Sequence, residues 1–578
     1  MTAREIRDRI LGVVGKNGGH LASSLGAVEI AMALTKVFDP NKDRIVWDVG
    51  HQAYAWKLLT DRGGKDFSTL RTLDGLSPFP NPAESAADAA VSGHAGVSIS
   101  VAAGLAAARD FRGTGEHVVA VVGDGALVNG TSFEALNNLA SATSKLIVVL
   151  NDNEMSISRP AGSFAKLLGR LITNVRYNRV KTAAENAGHR LKLTFLRGVY
   201  HKAESRVKSW FLGNAYFEQF GLRYVGPVDG HDLVRLEAAL TVAKEYKGSV
   251  IVHVVTKKGR GYEPAERNPT KFHGVSAPRP PDAAEDGLRS WSDCMGAALC
   301  AAARRDDRVV ALTAGMKDGT GLTAFAKEFP GRFYDVGIAE GHMVAFAAGL
   351  AAAGRRPVVA VYSTFLQRAV DQVMHDVCIA GLPVVFCVDR AGAVGADGVT
   401  HQGVFDIAML RPLPNLTICQ PKDEADAEAL LGEALDRGGP TVIRYPRGFA
   451  PLSAGVPPPP GAGARIAVWA TGDQLAKARA VAAALPGAGV VFARYLKPFD
   501  TELLKRQRIA GMSIVSIENG SVMGGFGEAI GADLKFGWPD VFITHGPVAE
   551  LEKRYGFDTA SIISAIETKL ERRGPGAR

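Results

Sequence analysis

The sequence is poor in cysteine and lacks any long apolar run, and each shortage excludes a class of protein. Only 5 of the 578 residues are cysteine, and all lie in apolar or helix-forming stretches. They are Cys294, Cys300, Cys378, Cys387 and Cys419. We predict reduced core thiols rather than disulfides or a thiolate metal site. The longest apolar stretch, 343–353, is too short to span a bilayer, and the charged N-terminus lacks the apolar core of a secretory signal. A soluble, cytoplasmic protein is expected.

A nucleic-acid-binding pattern is also absent, although the chain is basic. The net charge is +8 at pH 7, but no basic run is interleaved with aromatic residues. The excess of lysine and arginine favours phosphorylated or carboxylate substrates, with solvated surface charge as the alternative. A composition with 47% hydrophobic residues and 65 glycines is that of an ordinary α/β protein. The length predicts three or four domains.

Two proline-rich stretches, 276–287 (SAPRPPDAAEDG) and 455–464 (GVPPPPGAGA), divide the chain into predicted domains 1–278, 288–453 and 464–578. Buried strands alternate with helices, which predicts an α/β protein of three doubly wound domains. The expected strands are 117–122, 146–150 and 249–256, then 357–361 and 383–388, then 467–470, 489–495 and 513–518. A ligand is expected between the first two domains. The third shows no comparable polar constellation and is expected to pack for stability or dimerisation. The basic stretch 167–216 is expected to form surface helices.

Polar residues follow two neighbouring strands of the first domain. Gly123-Asp124-Gly125 comes after the first of these strands, and Asn151-Asp152-Asn153 comes after the second. Open α/β sheets bind ligands at the carboxyl edge where such strands end. A carboxylate and an amide oxygen suit Mg²⁺, and the glycines let the backbone approach a diphosphate. The pattern predicts a metal and diphosphate site, although an Asp between glycines is more often an ordinary turn.

With these elements placed, the chain resembles the transketolase-like thiamine-diphosphate enzymes over nearly its whole length, and most closely the 1-deoxy-D-xylulose-5-phosphate synthase family. The matching stretches include WDVGHQAY, NDNEMSIS, KFHGV, DVGIAEGH, DRAGAVGADGVTHQGVFD and RYPRG. The resemblance implies a diphosphate-binding domain (1–278), a pyrimidine-binding domain (288–453) and a transketolase C-terminal-like domain (464–578). It also implies thiamine diphosphate and Mg²⁺ as cofactors, and a homodimer.

The implied reaction joins pyruvate and D-glyceraldehyde 3-phosphate into 1-deoxy-D-xylulose 5-phosphate with loss of CO₂, the first step of the non-mevalonate isoprenoid pathway. Decarboxylation leaves a carbanion, and the thiazolium ring of the cofactor is the electron sink for it. The alternatives are transketolase-type ketol transfer between sugar phosphates, an acyl-transferring pyruvate dehydrogenase component, and a catalytically silent thiamine-diphosphate-binding relative. A nicotinamide dehydrogenase is disfavoured, because no G-x-G-x-x-G turn follows the first strand.

The resemblance also implies the cofactor contacts. They are Ser24 (or Ser23), His51, His94, Gly123, Asp124, Gly125, Ala126, Asn153, Met155, Ile157, Glu340 and Phe365. The metal ligands among them are Asp124, Asn153 and the carbonyl of Met155. Ile157 would wedge the two cofactor rings into a bent conformation, and Phe365 would stack on the aminopyrimidine. A carboxyl that activates this ring needs an apolar pocket to raise its pKa. Glu340 fits that role, although a carboxylate in a first helical turn is usually a dipole partner.

Catalytic and substrate contacts complete the implied site. Catalytic roles fall to Glu340, His20, His51, His401 and Asp397, and substrate contacts fall to His20, Tyr362, Arg368, Arg390, Asp397, His401 and Arg447. Histidines suit proton transfer at neutral pH, and guanidinium forks suit the phosphate of the acceptor. Asp397 would orient an imidazole or bind acceptor hydroxyls, and Arg444 is expected to be structural. The sequence departs from the family after His94, where Ala95-Gly96-Val97 replaces hydroxyl-bearing residues.

Overall fold

The computed structural model describes residues 1–62, 66–153, 214–278, 288–453, 455–456, 458–461 and 463–572. The chain forms two compact units. The first unit contains Met1–Leu70 and Gly75–Pro278, and the second contains Arg71–Asp74 and Arg279–Arg578. Met155, Ile157 and most of the predicted surface helices at 167–216 lie outside the described residues, so those predictions remain predictions. The exact three-domain boundaries also remain a prediction.

The first unit is built on a five-stranded sheet. Its strands are β1 (Arg44–Trp47), β2 (Val118–Gly123), β3 (Ile147–Asp152), β4 (Arg223–Asp229) and β5 (Val250–Val255). They lie in the order β1-β2-β3-β5-β4, with every neighbouring pair parallel. Successive residues of β2 face two different apolar cores, Val119 on one side and Ala120 on the other. Burial on both faces explains why these strands read as continuous apolar runs.

Helices cover both faces of this sheet. They are Ala3–Asn17, Ala22–Gly26, Val28–Val37, Tyr54–Leu59, Ser98–Arg112, Asp124–Leu127, Gly130–Ala142, Asn214–Glu218, Leu233–Glu245 and Glu263–Arg267, with a 3₁₀ turn at Phe67–Thr69. The first helix begins at a capping box, in which Thr2 and Glu5 satisfy each other's backbone N–H groups.

The second unit contains two sheets. Its strands are β6 (Val309–Thr313), β7 (Phe333–Asp335), β8 (Arg356–Tyr362), β9 (Val385–Asp389), β10 (Thr417–Cys419), β11 (Thr441–Arg444), β12 (Ile466–Ala470), β13 (Ala488–Phe492), β14 (Tyr495–Lys497), β15 (Ser513–Ser521) and β16 (Leu534–Trp538). One sheet has the order β14-β10-β11-β9-β8-β6-β7, and the other, which we call the third sheet, has the order β13-β12-β15-β16. All pairs are parallel except β10 with β14.

The helices of the second unit alternate with these strands. They are Trp291–Arg305, Thr323–Glu328, Glu340–Ala352, Ser363–Leu366, Val370–Gln372, Asp406–Leu410, Glu424–Asp436, Leu475–Ala484, Thr501–Ile509, Phe526–Ala529, Val548–Arg554 and Thr559–Arg572, with a π-helical turn at Val373–Cys378 and 3₁₀ turns at Pro330–Arg332, Gln367–Ala369 and Gly472–Gln474. The expected α/β architecture with three doubly wound sheets is confirmed.

One predicted strand is wrong. The stretch 489–495 was expected to form a single strand, but it divides into β13 and the start of β14. Ala493 N–H still donates to the carbonyl of Ala470 in β12. The carbonyl of the following residue, Arg494, accepts instead from the N–H of Gln420, which directly follows β10 of the larger sheet. The chain therefore changes sheets at Arg494, a switch that an apolar pattern does not reveal. All five cysteines are buried and free, as predicted. None of the helices within the described ranges has the length and apolar character needed to cross a bilayer.

Candidate active site

The carboxyl ends of β2 and β3 lie side by side in the first unit. The strands are parallel neighbours with Gly123 opposite Asn151, so the polar residues that follow them meet at one edge of the sheet. Asp124, directly after β2, is buried. Burial and the nearby Asp152 carboxylate raise the pKa of Asp124 to about 7, while Lys258 lowers it. Two carboxylates crowded in a buried place favour a cation there.

The NDN segment leaves one amide oxygen without a protein partner. Asn151 donates to Gln52 Oε1 at 2.8 Å and accepts from Thr256 Oγ1 at 2.6 Å. Asn153 Oδ1, in contrast, is buried and has no hydrogen-bond partner among the residues that the structure describes. This orphaned oxygen and the buried Asp124 fit the predicted Mg²⁺ site, which needs hard oxygen ligands. Within the described ranges no group of three or more His, Cys, Asp or Glu side chains is arranged to hold a metal.

A buried chain of hydrogen bonds holds the middle residue of the NDN segment. Asp152 Oδ2 lies 3.0 Å from His253 Nε2, and His253 Nδ1 lies 2.7 Å from Tyr224 Oη. Sequence reasoning missed both partners, because each sits inside a strand where a core role is the default. Their contacts fix the backbone that carries Asn153.

The predicted diphosphate contacts of the first unit lie in short, buried elements. Gly125 and Ala126 belong to the helix Asp124–Leu127. Ser24 is fully buried, and its Oγ donates to the carbonyl oxygen of His51 at 2.9 Å. Because that hydroxyl already has an acceptor, its diphosphate role remains a prediction.

Three histidine rings of the first unit lie together. Ring centroids are 6.0 Å apart for His20 and His51, 5.5 Å for His20 and His273, and 5.4 Å for His51 and His273. Ser23 Oγ lies 3.5 Å from His273 Nδ1. Burial, followed by the charge of Lys258 and the other two histidines, holds the pKa of His273 well below its usual value. Its imidazole is therefore neutral at neutral pH. Sequence reasoning singled out His20 and His51 but missed His273, although the KFHGV stretch was a signal.

His94 begins a loop whose backbone is held by Asp48. The Asp48 carboxylate accepts the N–H of Gly96 at 2.9 Å and that of Ser98 at 3.0 Å. Gly96 has φ +86° and packs against Asn129, where a Cβ would overlap the amide. The departure at Ala95-Gly96-Val97 therefore keeps an ordered loop without the hydroxyls that were expected there.

Glu340 begins the helix Glu340–Ala352 of the second unit and is 3% exposed. Burial raises the pKa of its carboxyl, and Arg368 opposes that shift, with Nη1 at 3.3 Å from Glu340 Oε2. The net direction is upward, so this carboxyl keeps its proton to a higher pH than an ordinary glutamate. The sequence predicted such a carboxyl at this position. Arg368, predicted to contact substrate, is paired with Glu340 in the structure, and its substrate role remains a prediction.

An aromatic group follows β8. The Phe365 and Tyr362 rings are stacked, with centroids 5.8 Å apart and planes 26° apart. His401 meets Phe365 edge-on at 5.5 Å, and its Nδ1 lies 2.9 Å from Thr400 Oγ1. The Arg390 guanidinium lies 3.8 Å from the centre of the Tyr362 ring. The structure thus brings together four residues that the sequence predicted separately.

Three arginines and Asp397 form a group that we call the arginine cluster: Arg71, Arg390, Arg447 and Asp397. Asp397 forms ion pairs with Arg71 and with Arg447, the latter at 3.2 Å. Asp397 is thus paired with two guanidiniums, and its expected role of orienting an imidazole or binding acceptor hydroxyls remains a prediction. Asp389, the residue before Arg390, adds a second carboxylate near these arginines. Three guanidiniums then face two carboxylates, and the remaining positive charge favours binding of an anion. Sequence reasoning missed Arg71, which lies far away in the chain and in no motif.

Arg444 is structural, in agreement with the sequence interpretation. It is 1% exposed. Its Nε and Nη2 donate to the Asp406 carboxylate at 2.8 and 3.1 Å. Nη1 donates to Gln420 Oε1 at 2.6 Å, and Nη2 also donates to the carbonyl of Asn519 at 2.8 Å. Since Asn519 lies in β15, Arg444 ties the larger sheet of the second unit to the third sheet.

Family models match most of the chain. Residues 1–256 match a model described as 1-deoxy-D-xylulose-5-phosphate synthase. Residues 289–451 match the pyrimidine-binding domain of transketolase, and residues 460–562 match the transketolase C-terminal domain. These three matches follow the order of the three sheets along the chain.

Curated relatives match nearly the whole length. A 1-deoxy-D-xylulose-5-phosphate synthase of Oleidesulfovibrio alaskensis is 45% identical, covering 97% of this chain and 93% of that protein. The protein named 1-deoxy-D-xylulose-5-phosphate synthase 2 of Geobacter sulfurreducens is also 45% identical, covering 98% and 95%. A 1-deoxy-D-xylulose-5-phosphate synthase of Syntrophotalea carbinolica is 46% identical, covering 98% of this chain and 94% of that protein.

Proposed function

The chain belongs to the 1-deoxy-D-xylulose-5-phosphate synthase family, and on that premise we propose that it is a transferase that condenses pyruvate with D-glyceraldehyde 3-phosphate. The products are 1-deoxy-D-xylulose 5-phosphate and CO₂, so the enzyme feeds isoprenoid synthesis. The structural observation that carries the proposal is the arginine cluster, because a phosphorylated acceptor needs a positive site.

Enzymes of this family use thiamine diphosphate and a divalent metal. When bound, thiamine diphosphate supplies the electron sink that decarboxylation of a 2-oxo acid requires. We assign the metal to Asp124 and Asn153. The raised pKa of Asp124 and the unpartnered oxygen of Asn153 support this choice, since a cation satisfies both. Lys258, which is buried and interacts with Asp124, adds positive charge where a diphosphate would lie.

Glu340 supplies the carboxyl that would hydrogen-bond to the aminopyrimidine ring of thiamine diphosphate. Its burial favours the neutral carboxyl, and a neutral carboxyl can donate a hydrogen bond to a ring nitrogen. Arg368 limits the shift and fixes the orientation of the carboxyl through Oε2. Phe365, already stacked on Tyr362, offers a flat apolar surface to a ring.

The arginine cluster recognises the phosphate of the acceptor. The side chain of Arg447 is 42% exposed, so it can reach a ligand, whereas that of Arg71 is 6% exposed and serves to hold Asp397. Arg390 presents its guanidinium from above the Tyr362 ring, which fixes its plane. Asp397 therefore orients Arg447 and lowers the repulsion among the three cations.

Proton transfer is assigned to histidines in each unit. In the first unit His20 and His51 lie beside His273, whose imidazole is neutral and able to accept or donate a proton. In the second unit the His401 ring is fixed between Phe365 and Thr400. We assign these imidazoles to substrate protonation and deprotonation.

The test is a defined reaction mixture. Purified protein with pyruvate, D-glyceraldehyde 3-phosphate, Mg²⁺ and thiamine diphosphate should release CO₂ and give a sugar phosphate with the mass of 1-deoxy-D-xylulose 5-phosphate. Omitting pyruvate and adding a ketose phosphate donor is the control for transketolase activity. Sugar transfer from the ketose without CO₂ release would favour that alternative. Cofactor binding without any turnover would favour the catalytically silent relative.

Two further properties belong to this proposal. We propose a cytoplasmic location, because five unpaired buried thiols suit a reducing compartment. We also propose a homodimer, as the family resemblance implies. Light scattering of the purified protein tests the second statement, since a mass near 61.1 kDa would show a monomer instead.

A further inference from the structure

The segment that carries three of the predicted substrate residues rests on the third sheet. It connects β9 to the helix Asp406–Leu410, and we call residues 390–403 the arginine loop. Arg390, Asp397 and His401 lie on it. Its ends are joined by an antiparallel bridge, in which Gly392 and Gly403 exchange N–H···O bonds of 2.8 Å. Because this bridge closes the loop on itself, contacts with its surroundings must fix the loop in place.

Arg390 depends on that fixation. Its φ is +58°, in the left-handed region that a side chain with a Cβ rarely adopts. On its C-terminal side Ala391 N–H donates to Tyr445 O at 3.0 Å. Surrounding contacts must hold such a backbone in place, because it would otherwise relax and move the guanidinium away from Tyr362.

Asn519 of β15 supplies one of these contacts. Its Oδ1 accepts the N–H of Ala393 at 3.1 Å and the indole N–H of Trp538 at 2.8 Å. Its Nδ2 donates to Asp473 Oδ2 at 2.8 Å. The side chain lies so close under Gly392 that a Cβ on this glycine would overlap it. Three hydrogen bonds therefore hold the amide, and its position leaves the loop little freedom.

Gln402 supplies the second contact from within the loop. Its Oε1 accepts the N–H groups of Val394 at 2.7 Å and Gly395 at 3.3 Å. Its Nε2 donates to the carbonyl of Thr544 at 3.0 Å. One buried amide thus fixes the middle of the loop and attaches it to the segment that follows β16.

We propose that Asn519 and Gln402 are positioning residues that set the preference for a phosphorylated acceptor by fixing the arginine loop on the third sheet. This inference rests on the proposed function, because it takes Arg390 and Arg447 as the phosphate site. It gives the C-terminal domain a role in addition to the stability or dimerisation expected from its sequence. Neither amide needs to touch substrate, since each acts through the backbone of the loop.

The experiment compares two acceptors. For each variant, kcat/KM is measured with D-glyceraldehyde 3-phosphate and with unphosphorylated D-glyceraldehyde, and their ratio is the readout. Asn519→Ala removes the acceptor of Ala393 N–H. We expect this ratio to fall about tenfold or more. A displaced Arg390 would lose a charged hydrogen bond to the acceptor phosphate, and such a loss is of this size. The KM for pyruvate should stay within about twofold, because pyruvate carries no phosphate for the arginine cluster to bind.

A matched control lies in the same domain. Gln507 is a buried amide whose Oε1 accepts the indole N–H of Trp469 at 2.8 Å, much as Asn519 accepts that of Trp538. Gln507→Ala should lower thermal stability without changing the acceptor ratio. If Asn519→Ala fails to fold, Gln402→Glu decides the question. This change keeps the acceptor for Val394 and Gly395 but replaces the donor to Thr544 O, so the ratio should fall.

Arg447→Ala distinguishes a failure of the positioning role from a failure of the proposed phosphate site. If its ratio falls while the ratios of folded Asn519→Ala and Gln402→Glu stay at the parent value, the positioning role is overturned and the phosphate site stands. An unchanged ratio in Arg447→Ala would overturn the phosphate site and the positioning role with it. A fall in all three, with Gln507→Ala unchanged, supports the inference.

Discussion

Glu518 makes the stability of the second unit depend on pH in an unusual direction. This residue of β15 is fully buried, and its oxygens accept the N–H groups of Phe526 at 2.6 Å and Gly527 at 2.7 Å. Burial raises the pKa of its carboxyl from 4.5 to about 7, although both hydrogen bonds and Arg444 lower it. The folded protein therefore binds a proton at Glu518 at pH values where the unfolded chain has released it.

This bound proton sets the direction in which stability changes with pH. Stabilisation by the neutral carboxyl is fully present below pH 4.5 and is lost as pH rises through 7. At about 1.36 kcal/mol for each pKa unit, the difference between 4.5 and 7 corresponds to roughly 3 kcal/mol, most of it lost between pH 5 and pH 8. Glu518→Gln removes the titration and also one acceptor, which costs about 1–3 kcal/mol at every pH.

The assay is urea unfolding of the parent and Glu518→Gln at pH 5, 6, 7 and 8. From pH 5 to pH 8 we expect the free energy of unfolding of the variant to rise by about 2–3 kcal/mol relative to that of the parent. Glu433→Gln is the control, because the Glu433 side chain is 43% exposed and Arg494 lowers the pKa of its carboxyl. Because this pKa lies below 4.5, Glu433→Gln should show no comparable change in stability between pH 5 and pH 8. Parallel pH profiles for the parent and Glu518→Gln would show that Glu518 does not titrate between pH 5 and pH 8.

Three predictions concern catalysis. Glu340→Gln should lower kcat about 10²–10⁴-fold in steady-state assays, the usual range for proton transfer; a change below threefold would contradict the assignment. Arg447→Ala should raise the KM for D-glyceraldehyde 3-phosphate about tenfold or more, and Arg447→Lys, which keeps the charge but loses the fork, should recover only part. Asn153→Ala should raise the Mg²⁺ concentration for half-maximal activity about tenfold or more, and an unshifted titration would remove Asn153 from the metal site.

The sequence predicted the parts of the site that follow buried strands. The stretches before Asp124 and Asn153 are continuous apolar runs, and such runs form central parallel strands whose ends share an edge. The burial of Glu340 was likewise foreseeable, since it begins an apolar helix. In these cases the position of a side chain depends on local pattern and on pairing between strands that are neighbours in sequence.

The partners that decide charge and orientation were not predictable in this way. Arg71 reaches Asp397 from a turn more than three hundred residues earlier, and it has a left-handed backbone that no motif marks. His273 and His253 read as ordinary residues, one in a loop and one in a strand. Their roles arise from long-range packing, which single-sequence reasoning cannot rank against the many other possible pairs.

The two ends of the arginine loop show how the fold separates stability from specificity. At its start Asp389 is buried and accepts from Ser292 Oγ at 2.6 Å, and just after its end Asp406 is bound by Arg444. Breaking either buried contact leaves an uncompensated polar group and costs the fold itself. Between these ends the amides of Asn519 and Gln402 bond the loop to the third sheet and to the segment that follows it. Removing the Asn519 amide takes one donor from the Asp473 carboxylate, but Gln474 Nε2 still donates to the same oxygen at 3.0 Å. Changes at Asn519 should therefore alter acceptor preference before they unfold the domain.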